Sequence, residues 1–220
     1  MILPPRELPQ TLRWRLKGCF VTSEIVLGLL RHGQTDWNID FRLQGVTDIP
    51  LNEVGRQQAL DAARQITPGD WDLLLTSPLS RAFDTAQSVV REAGFQEHHL
   101  VVDSRLLERS FGEAEGMLHS EWRERFAGQD APGSESKAEF RERCQRLLDA
   151  FAAEFAGKRI LAVSHGALIR ELIHIASAGE LPRAGERLGN ASLNTLVYSG
   201  GSWTVADYQP QTLGGTDPRL

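Results

Sequence analysis

The chain has 220 residues, 41% of them apolar and 24% charged, with a formal net charge of −5. That length holds one full hydrophobic core and falls short of two ordinary domains, and the composition is that of a soluble globular domain rather than a disordered or fibrous one. The acidic balance argues against nucleic acid and anionic membranes as partners, and the two cysteines, Cys19 and Cys144, are too few for a disulfide framework and fit a cytoplasmic setting.

Residues 1–23 differ from the rest. Arg6, Arg13, Arg15 and Lys17 stand against Glu7 alone, a local charge of +3 that leaves −8 for residues 24–220. Pro4, Pro5 and Pro9 interrupt the segment, which offers neither the apolar stretch nor the small-residue cleavage site of a secretory signal. It reads as a loosely docked N-terminal extension outside the core, or as chain upstream of a start at Val21. Residues 24–209 read as the domain and 210–220 as a C-terminal tail.

Short apolar runs bounded by polar or turn residues follow in order: Ile25 to Leu30, Asp72 to Thr76, Leu100 to Val102 and Arg159 to Ser164. Runs of this kind are the pattern of buried parallel strands, and the first is far too short to span a membrane. Helical segments lie between them. Residues 53–66 place Val54, Ala62 and Ile66 among charged positions, and Ser77-Pro78 is an N-cap serine with proline at the first helical position. In residues 137–155, Phe140, Cys144, Leu147, Leu148, Phe151 and Phe155 form one stripe, preceded by the capping box of Ser136 and Glu139. Leu193, Leu196, Tyr198, Trp203, Val205 and Tyr208 flank Ser199-Gly200-Gly201-Ser202 as a closing hairpin. This alternation predicts an α/β domain, a three-layer α/β/α sandwich with a mostly parallel central sheet.

Such sheets bind ligands beyond the carboxyl ends of their strands. The first strand ends in Arg31-His32-Gly33, the second leads through Ser77-Pro78 to Arg81, and the fourth ends in Ser164-His165-Gly166. Two histidines and two arginines are thereby delivered to one rim. Arginine offers a fixed fork to phosphate oxygens, and a neutral histidine nitrogen is a competent nucleophile. Backbone amides at the helix starts after Ser77 and Gly166 are candidate anion donors. Taken singly, a His-Gly pair is more often a strand-end cap and an arginine a solvated charge, and it is the joint placement that points to a phosphoryl pocket. The six histidines show no paired metal-ligand spacing, so no metal and no cofactor are expected, and GxxxxGK[ST], GxGxxG and GxSxG are all missing from the chain.

The run Leu30 to Asn38 (LRHGQTDWN) resembles the signature of the histidine phosphatase superfamily, the phosphoglycerate mutase-like group. The likeness continues through Gln44-Gly45, Asp48 to Asn52, Thr76 to Ala82, Leu107-Glu108-Arg109, Gly133 to Ser136 and Val163 to Gly166, covering about residues 25 to 205. It implies the phosphoglycerate mutase-like fold and a covalent mechanism: His32 as nucleophile, Arg31, Arg81 and His165 as clamp on the phosphoryl oxygens, and Glu108 as proton donor and acceptor. Gly33, Asn38, Gln44, Gly45, Ser77 and Gly166 would complete the binding site. A second branch of the superfamily carries an acid immediately after its later histidine; here that neighbour is Gly166, so the donor must come from elsewhere. Outside this pattern, Glu108 would read as a surface carboxylate paired with Arg105 or Arg109.

Cofactor-dependent mutases resembling this family carry a longer segment after the catalytic glutamate, whereas here residues 111–116 pass directly to a short helix, His119 to Phe126. The shorter form resembles the broad-specificity and ribazole-phosphatase branch. The resemblance therefore implies a phosphatase acting on a small-molecule phosphoester, as a monomer or homodimer, with a phosphoglycerate mutase and a non-catalytic phosphate-binding protein as alternatives. Residues 113–136 form a lid segment in which Trp122 and Arg123 are candidate contacts, Trp122 and Phe126 are spaced to pack downward, and at most one of Arg123 and Arg125 faces the pocket. Glu113 and Glu115 would disfavour highly charged substrates if they lined its mouth.

Overall fold

The computed structural model describes residues 24–67, 69–95, 100–127 and 129–212. The expected N-terminal extension, residues 1–23, and residues 213–220 lie outside the described residues. The strands are β1 (Ile25–Arg31), β2 (Leu73–Thr76), β3 (Leu100–Val102), β4 (Arg159–Ser164), β5 (Glu186–Leu188), β6 (Leu193–Ser199), β7 (Ser202–Asp207) and β8 (Pro210–Thr212). The helices are α1 (Asp36–Ile39), α2 (Glu53–Arg64), α3 (Ser80–Ala93), α4 (His119–Phe126), α5 (Lys137–Glu154) and α6 (Gly166–Ala176). Two 3-10 turns, Ser104–Leu106 and Gly112–Ala114, complete the described elements.

Six strands form one sheet in the order β3-β2-β4-β1-β6-β7. The first four are mutually parallel, and the hairpin β6-β7 adds an antiparallel edge beyond β1. Side chains alternate across β1. Ile25, Leu27 and Leu29 meet Phe140, Cys144, Leu148 and Phe151 of α5 and Leu168, Ile169 and Leu172 of α6, while Leu30 faces Ala63 of α2 and Ala82, Ala86 and Val89 of α3. Two helical layers on one sheet give the α/β/α sandwich, and the large residues on one face against alanines on the other set helix distance. The strand β8 pairs with β5 as a separate two-stranded sheet, so the first residues of the expected tail are part of the ordered fold.

Two local expectations need correction. Val54 is 53% exposed; the inward face of α2 is Gly55, Ala59 and Ala63. The helix is rotated by a backbone contact, because Gly55 lies so close to Gln34 and Gly33 that a side chain there has no room. The helix after Ser77 begins at Ser80 with Leu79 as N-cap, and Ser77 does not cap it. Its first turn is capped from outside, by Asp48 Oδ1, which accepts from Ser80 N and Ser80 Oγ at 2.8 Å each.

Candidate active site

The parallel strands β1, β2 and β4 end on one rim, and beyond it lies a cavity of about 550 Å³ lined in its inner part by Arg31, His32, Asn38, Gln44, Gly45, Arg81, Glu108 and Gly166. Trp122 and Arg123 of α4 form part of its outer wall. His32 follows β1 directly and is 3% exposed. Its Nδ1 lies 2.7 Å from Gly33 O. A carbonyl only accepts, so Nδ1 carries the proton and Nε2 keeps a bare lone pair. Burial, then the charges of Arg81 and Arg31, push His32 well below the ordinary imidazole value of 6.5, so the ring is neutral at pH 7.

His165 follows β4, is fully buried and is not among the cavity's lining residues, with its ring centroid 5.2 Å from that of His32. Its Nε2 is 2.7 Å from Ser77 Oγ, which also accepts from Leu79 N at 3.4 Å. The Ser77 hydroxyl has a proton to donate, and with it given to Nε2 the ring carries its own proton on Nδ1, the tautomer we assign. Burial, then Arg81, lowers His165 well below 6.5 as well.

Arg81 is completely buried and is held by the loop that follows Gln44, donating from Nη2 to Gly45 O (2.8 Å) and from Nη1 to Thr47 O (2.9 Å). Arg31 donates from Nη1 to Leu188 O at 2.5 Å, and burial lowers its pKa to about 10, which leaves it charged at neutral pH. Arg31 Nε and Arg81 Nε are buried N–H groups with no acceptor, His165 Nδ1 is a third in the assigned tautomer, and Gln44 Oε1 is a buried acceptor with no donor. Three unmet donors around one bare imidazole lone pair form a receptor for an acceptor-rich anion.

Glu108 is 8% exposed and pairs with neither Arg105 nor Arg109. Its Oε1 accepts from Arg109 N (2.9 Å) and Leu168 N (3.0 Å), and its Oε2 from Ala167 N (2.9 Å). The Ala167 and Leu168 amides at the start of α6 are thus given to Glu108, and the Ser80 amide at the start of α3 to Asp48, so these three expected anion donors are taken within the protein. Oε1 is filled by two donors; Oε2 has one and keeps a lone pair for a proton.

Other expected residues are placed differently. Gly33 and Ser77 do not line the cavity. Gly33 permits close approach instead: a Cβ there would stand 2.3 Å from Gly55 O. Asn38 does line it, with Oδ1 accepting from Thr35 N and Asn190 Nδ2 at 3.1 Å each. Of the two lid arginines, Arg123 lines the cavity, while Arg125 stacks over Phe126 at 5.3 Å. Trp122 and Phe126 pack with Leu43, Ala114 and Phe111.

Glu113 and Glu115 are not among the lining residues. Glu115 is a structural anchor: Oε1 accepts from Val46 N (3.1 Å) and Phe111 N (3.0 Å), and Oε2 from Thr47 N (2.9 Å) and the Thr47 hydroxyl. Gly45, at φ +56°, is pressed against that carboxylate, where a Cβ would overlap it. Sequence reasoning also missed Thr85, whose Oγ1 accepts from Gly33 N at 3.1 Å, and Asn190, which donates to His32 O at 3.1 Å. Among the described residues, no group of three or more His, Cys, Asp or Glu side chains is placed to hold a metal ion, and no helix is long and apolar enough to cross a membrane.

The chain is similar to known proteins over most of its length. The chain is 35% identical over 180 residues to an uncharacterized phosphatase, PhoE, of Bacillus subtilis, covering 82% of this chain and 92% of that protein. It is 32% identical to phosphoglycerate mutase-like protein 4 of Arabidopsis thaliana, covering 83% of each. A crystal structure of a phosphoserine phosphatase mutant from Entamoeba histolytica in complex with phosphoserine is 32% identical, with a TM-score of 0.69 over 83% of this chain and 95% of that one. Residues 27–210 match the model of the histidine phosphatase superfamily, branch 1, and the chain belongs to that family.

Proposed function

We propose that the chain hydrolyses small-molecule phosphomonoesters through a phosphohistidine formed on His32 Nε2. The observation that carries this reading is a bare His32 lone pair in the cavity that Arg31 and Arg81 also line, with the unmet donors Arg31 Nε and Arg81 Nε and the His165 ring 5.2 Å from that of His32. In the first step the Nε2 lone pair attacks phosphorus in line, the P–N bond forms, and the P–O bond to the leaving group breaks. A proton held on Glu108 Oε2 passes to the departing alkoxide, so the alcohol leaves neutral. Two guanidinium groups and the His165 N–H take up the charge spreading over the equatorial oxygens. In the second step the Glu108 carboxylate removes a proton from water as it attacks phosphorus, the P–N bond breaks to return neutral His32, and phosphate departs.

Gln44 and the NH₂ of Asn38 complete the cradle in this reading, and Gly45 and Gly166 supply walls without side chains. We place the enzyme in the cytoplasm as a monomer or homodimer; the free thiol of Cys144 supports that setting. Residues 24–212 are read as the functional domain, with 113–136 as its lid.

The mutase-like relative favours a second reading in which the phosphoryl group returns to another hydroxyl of the same molecule. The two are separated by following 3-phosphoglycerate in the presence of chelator. Release of inorganic phosphate faster than appearance of 2-phosphoglycerate is the expected result, and the reverse order would replace the hydrolase by the mutase.

A further inference from the structure

The proton donor of the proposed reaction sits on a stretch with no regular structure. After β3 the chain makes the 3-10 turn Ser104–Leu106, and residues 107–111 then run as neither helix nor strand up to the turn that begins at Gly112. Leu106 O is held by the Ser164 hydroxyl at the end of β4 (2.8 Å). Beyond it, among the described residues, the carbonyls of Leu107 and Glu108 have no backbone donor. A side chain on an irregular segment is placed less exactly than one on a helix or strand unless its main chain is bound from outside.

Arg143 of α5 supplies that outside contact. Its Nη1 donates to Leu107 O (3.0 Å) and its Nη2 to Glu108 O (3.2 Å). The guanidinium is fixed in turn by Glu135, whose Oε1 accepts from Nε (2.7 Å) and Oε2 from Nη2 (3.0 Å), a forked pair in which both side chains are mostly buried. Glu135 is tied to the same stretch again through its main chain: its N donates to Ser110 O (3.1 Å), and its O accepts from Arg109 Nε (3.0 Å) and Nη2 (2.9 Å). Residues 107–110 are therefore held between a long helix and the end of the lid segment. From this frame the Glu108 carboxylate reaches the Ala167 and Leu168 amides, so a shift of its main chain is passed to the carboxylate. Arg143 is not among the residues lining the cavity, and its route to the reaction runs through Glu108.

We infer that Arg143, locked by Glu135, is a positioning residue that sets the main chain at Leu107 and Glu108 and so keeps the Glu108 carboxylate at the cavity for proton transfer. The inference rests on the hydrolase reading for what Glu108 does there, and not for how it is held.

Arg143→Lys keeps a positive charge opposite Glu135, but one ammonium cannot span that carboxylate and both carbonyls; Arg143→Gln removes the charge as well. The parameter kcat/KM, which reports the first phosphoryl transfer, is measured for benzyl phosphate, whose alkoxide needs a proton to leave, and for p-nitrophenyl phosphate, whose phenolate leaves without one. Each variant is expected to lose about tenfold more on the benzyl ester than on the nitrophenyl ester, and that excess vanishes when the same substitution is made in Glu108→Gln. Hydrogen exchange reads the hold without turnover. The Ala167 and Leu168 amides are expected to exchange about tenfold faster in the variants, while those of Leu172 and Ile173 further along α6 keep the parent rate. Equal losses on the two esters, an excess that persists in Glu108→Gln, or unchanged exchange of the two amides would overturn the inference while leaving the hydrolase standing wherever phosphate is released. A parent protein that releases phosphate from neither ester would sink the hydrolase, and the exchange rates alone would then decide whether Arg143 holds Glu108.

Discussion

Glu115 never touches the cavity, yet the geometry makes activity depend on it. Its two oxygens collect four donors from the loop after Gln44 and from Phe111, and that loop's carbonyls at Gly45 and Thr47 hold both terminal nitrogens of Arg81. In Glu115→Gln, whichever way the amide turns, one acceptor oxygen becomes an NH₂ facing two donors. Hydrogen bonds to a charged acceptor contribute about 1.5–3 kcal/mol each, and with the discount for the exposed Val46 contact a net loss of about 2–3 kcal/mol in stability is expected. The larger effect reaches Arg81. A guanidinium whose anchors have loosened loses more of its stabilisation of the transition state than of the ground state, so kcat/KM falls about 10- to 100-fold, mainly through kcat. The assay is steady-state phosphate release paired with thermal unfolding of the same preparation. A variant whose melting temperature drops while kcat/KM stays within about twofold of the parent would refute the path from Glu115 through the loop to Arg81.

Removing the Ser77 hydroxyl as Ser77→Ala takes away the group that sets the His165 tautomer; kcat is expected to fall about tenfold with KM little changed, and ¹⁵N chemical shifts should show the Nδ1-protonated form replaced by a mixture. An unchanged tautomer with reduced kcat would contradict the assignment. His32, His165 and His119 all titrate lower folded than unfolded, so the unfolded chain binds more protons below pH 6.5 and stability falls as pH drops through that window, by up to about 1.4 kcal/mol per pH unit for each site. Urea unfolding at pH 7.5, 6.5, 5.5 and 5.0 checks this, and a flat profile below pH 6.5 counts against buried neutral histidines. Burial pushes the Cys144 thiol up to about 12, so in a Cys19→Ser background it should resist a thiol reagent at pH 8 until the protein is unfolded. Rapid native labelling would mean that the α5 face of the core opens far more often than its packing implies.

Four of the five residues at the centre of the site were legible because their signals are local. Arg31-His32 and His165 end apolar runs whose length marks them as strands, and Arg81 falls in the first turn of a helix however its start is drawn. Glu108 was legible only through resemblance, since its three donors come from its own neighbour and from a helix start nearly sixty residues away. The supports were not legible. Nothing in the local sequence distinguishes Glu115 from Glu113, and the difference lies in a turn that brings one of them against Gly45. Arg143 reads as an ordinary charge until α5 lies beside the stretch carrying Glu108 and offers its fork to two carbonyls there. The misplacement of Val54 has the same origin: periodicity alone allowed several rotations of α2, and a backbone contact between Gly33 and Gly55 chose one. At both helix starts a long-range carboxylate takes amides that the sequence offered as anion donors, Ser80 N in α3 and Ala167 N and Leu168 N in α6.

The central claim is that phosphorus is transferred to one particular nitrogen. Rapid-quench labelling with a ³²P-phosphomonoester, followed by peptide mapping and ³¹P NMR of the denatured phosphoenzyme, reads both the residue and the ring atom. The account predicts an acid-labile, base-stable phosphohistidine on His32 Nε2, absent from His32→Ala. Label on His165, label on His32 Nδ1, or phosphate release by His32→Ala at the parent rate would contradict it.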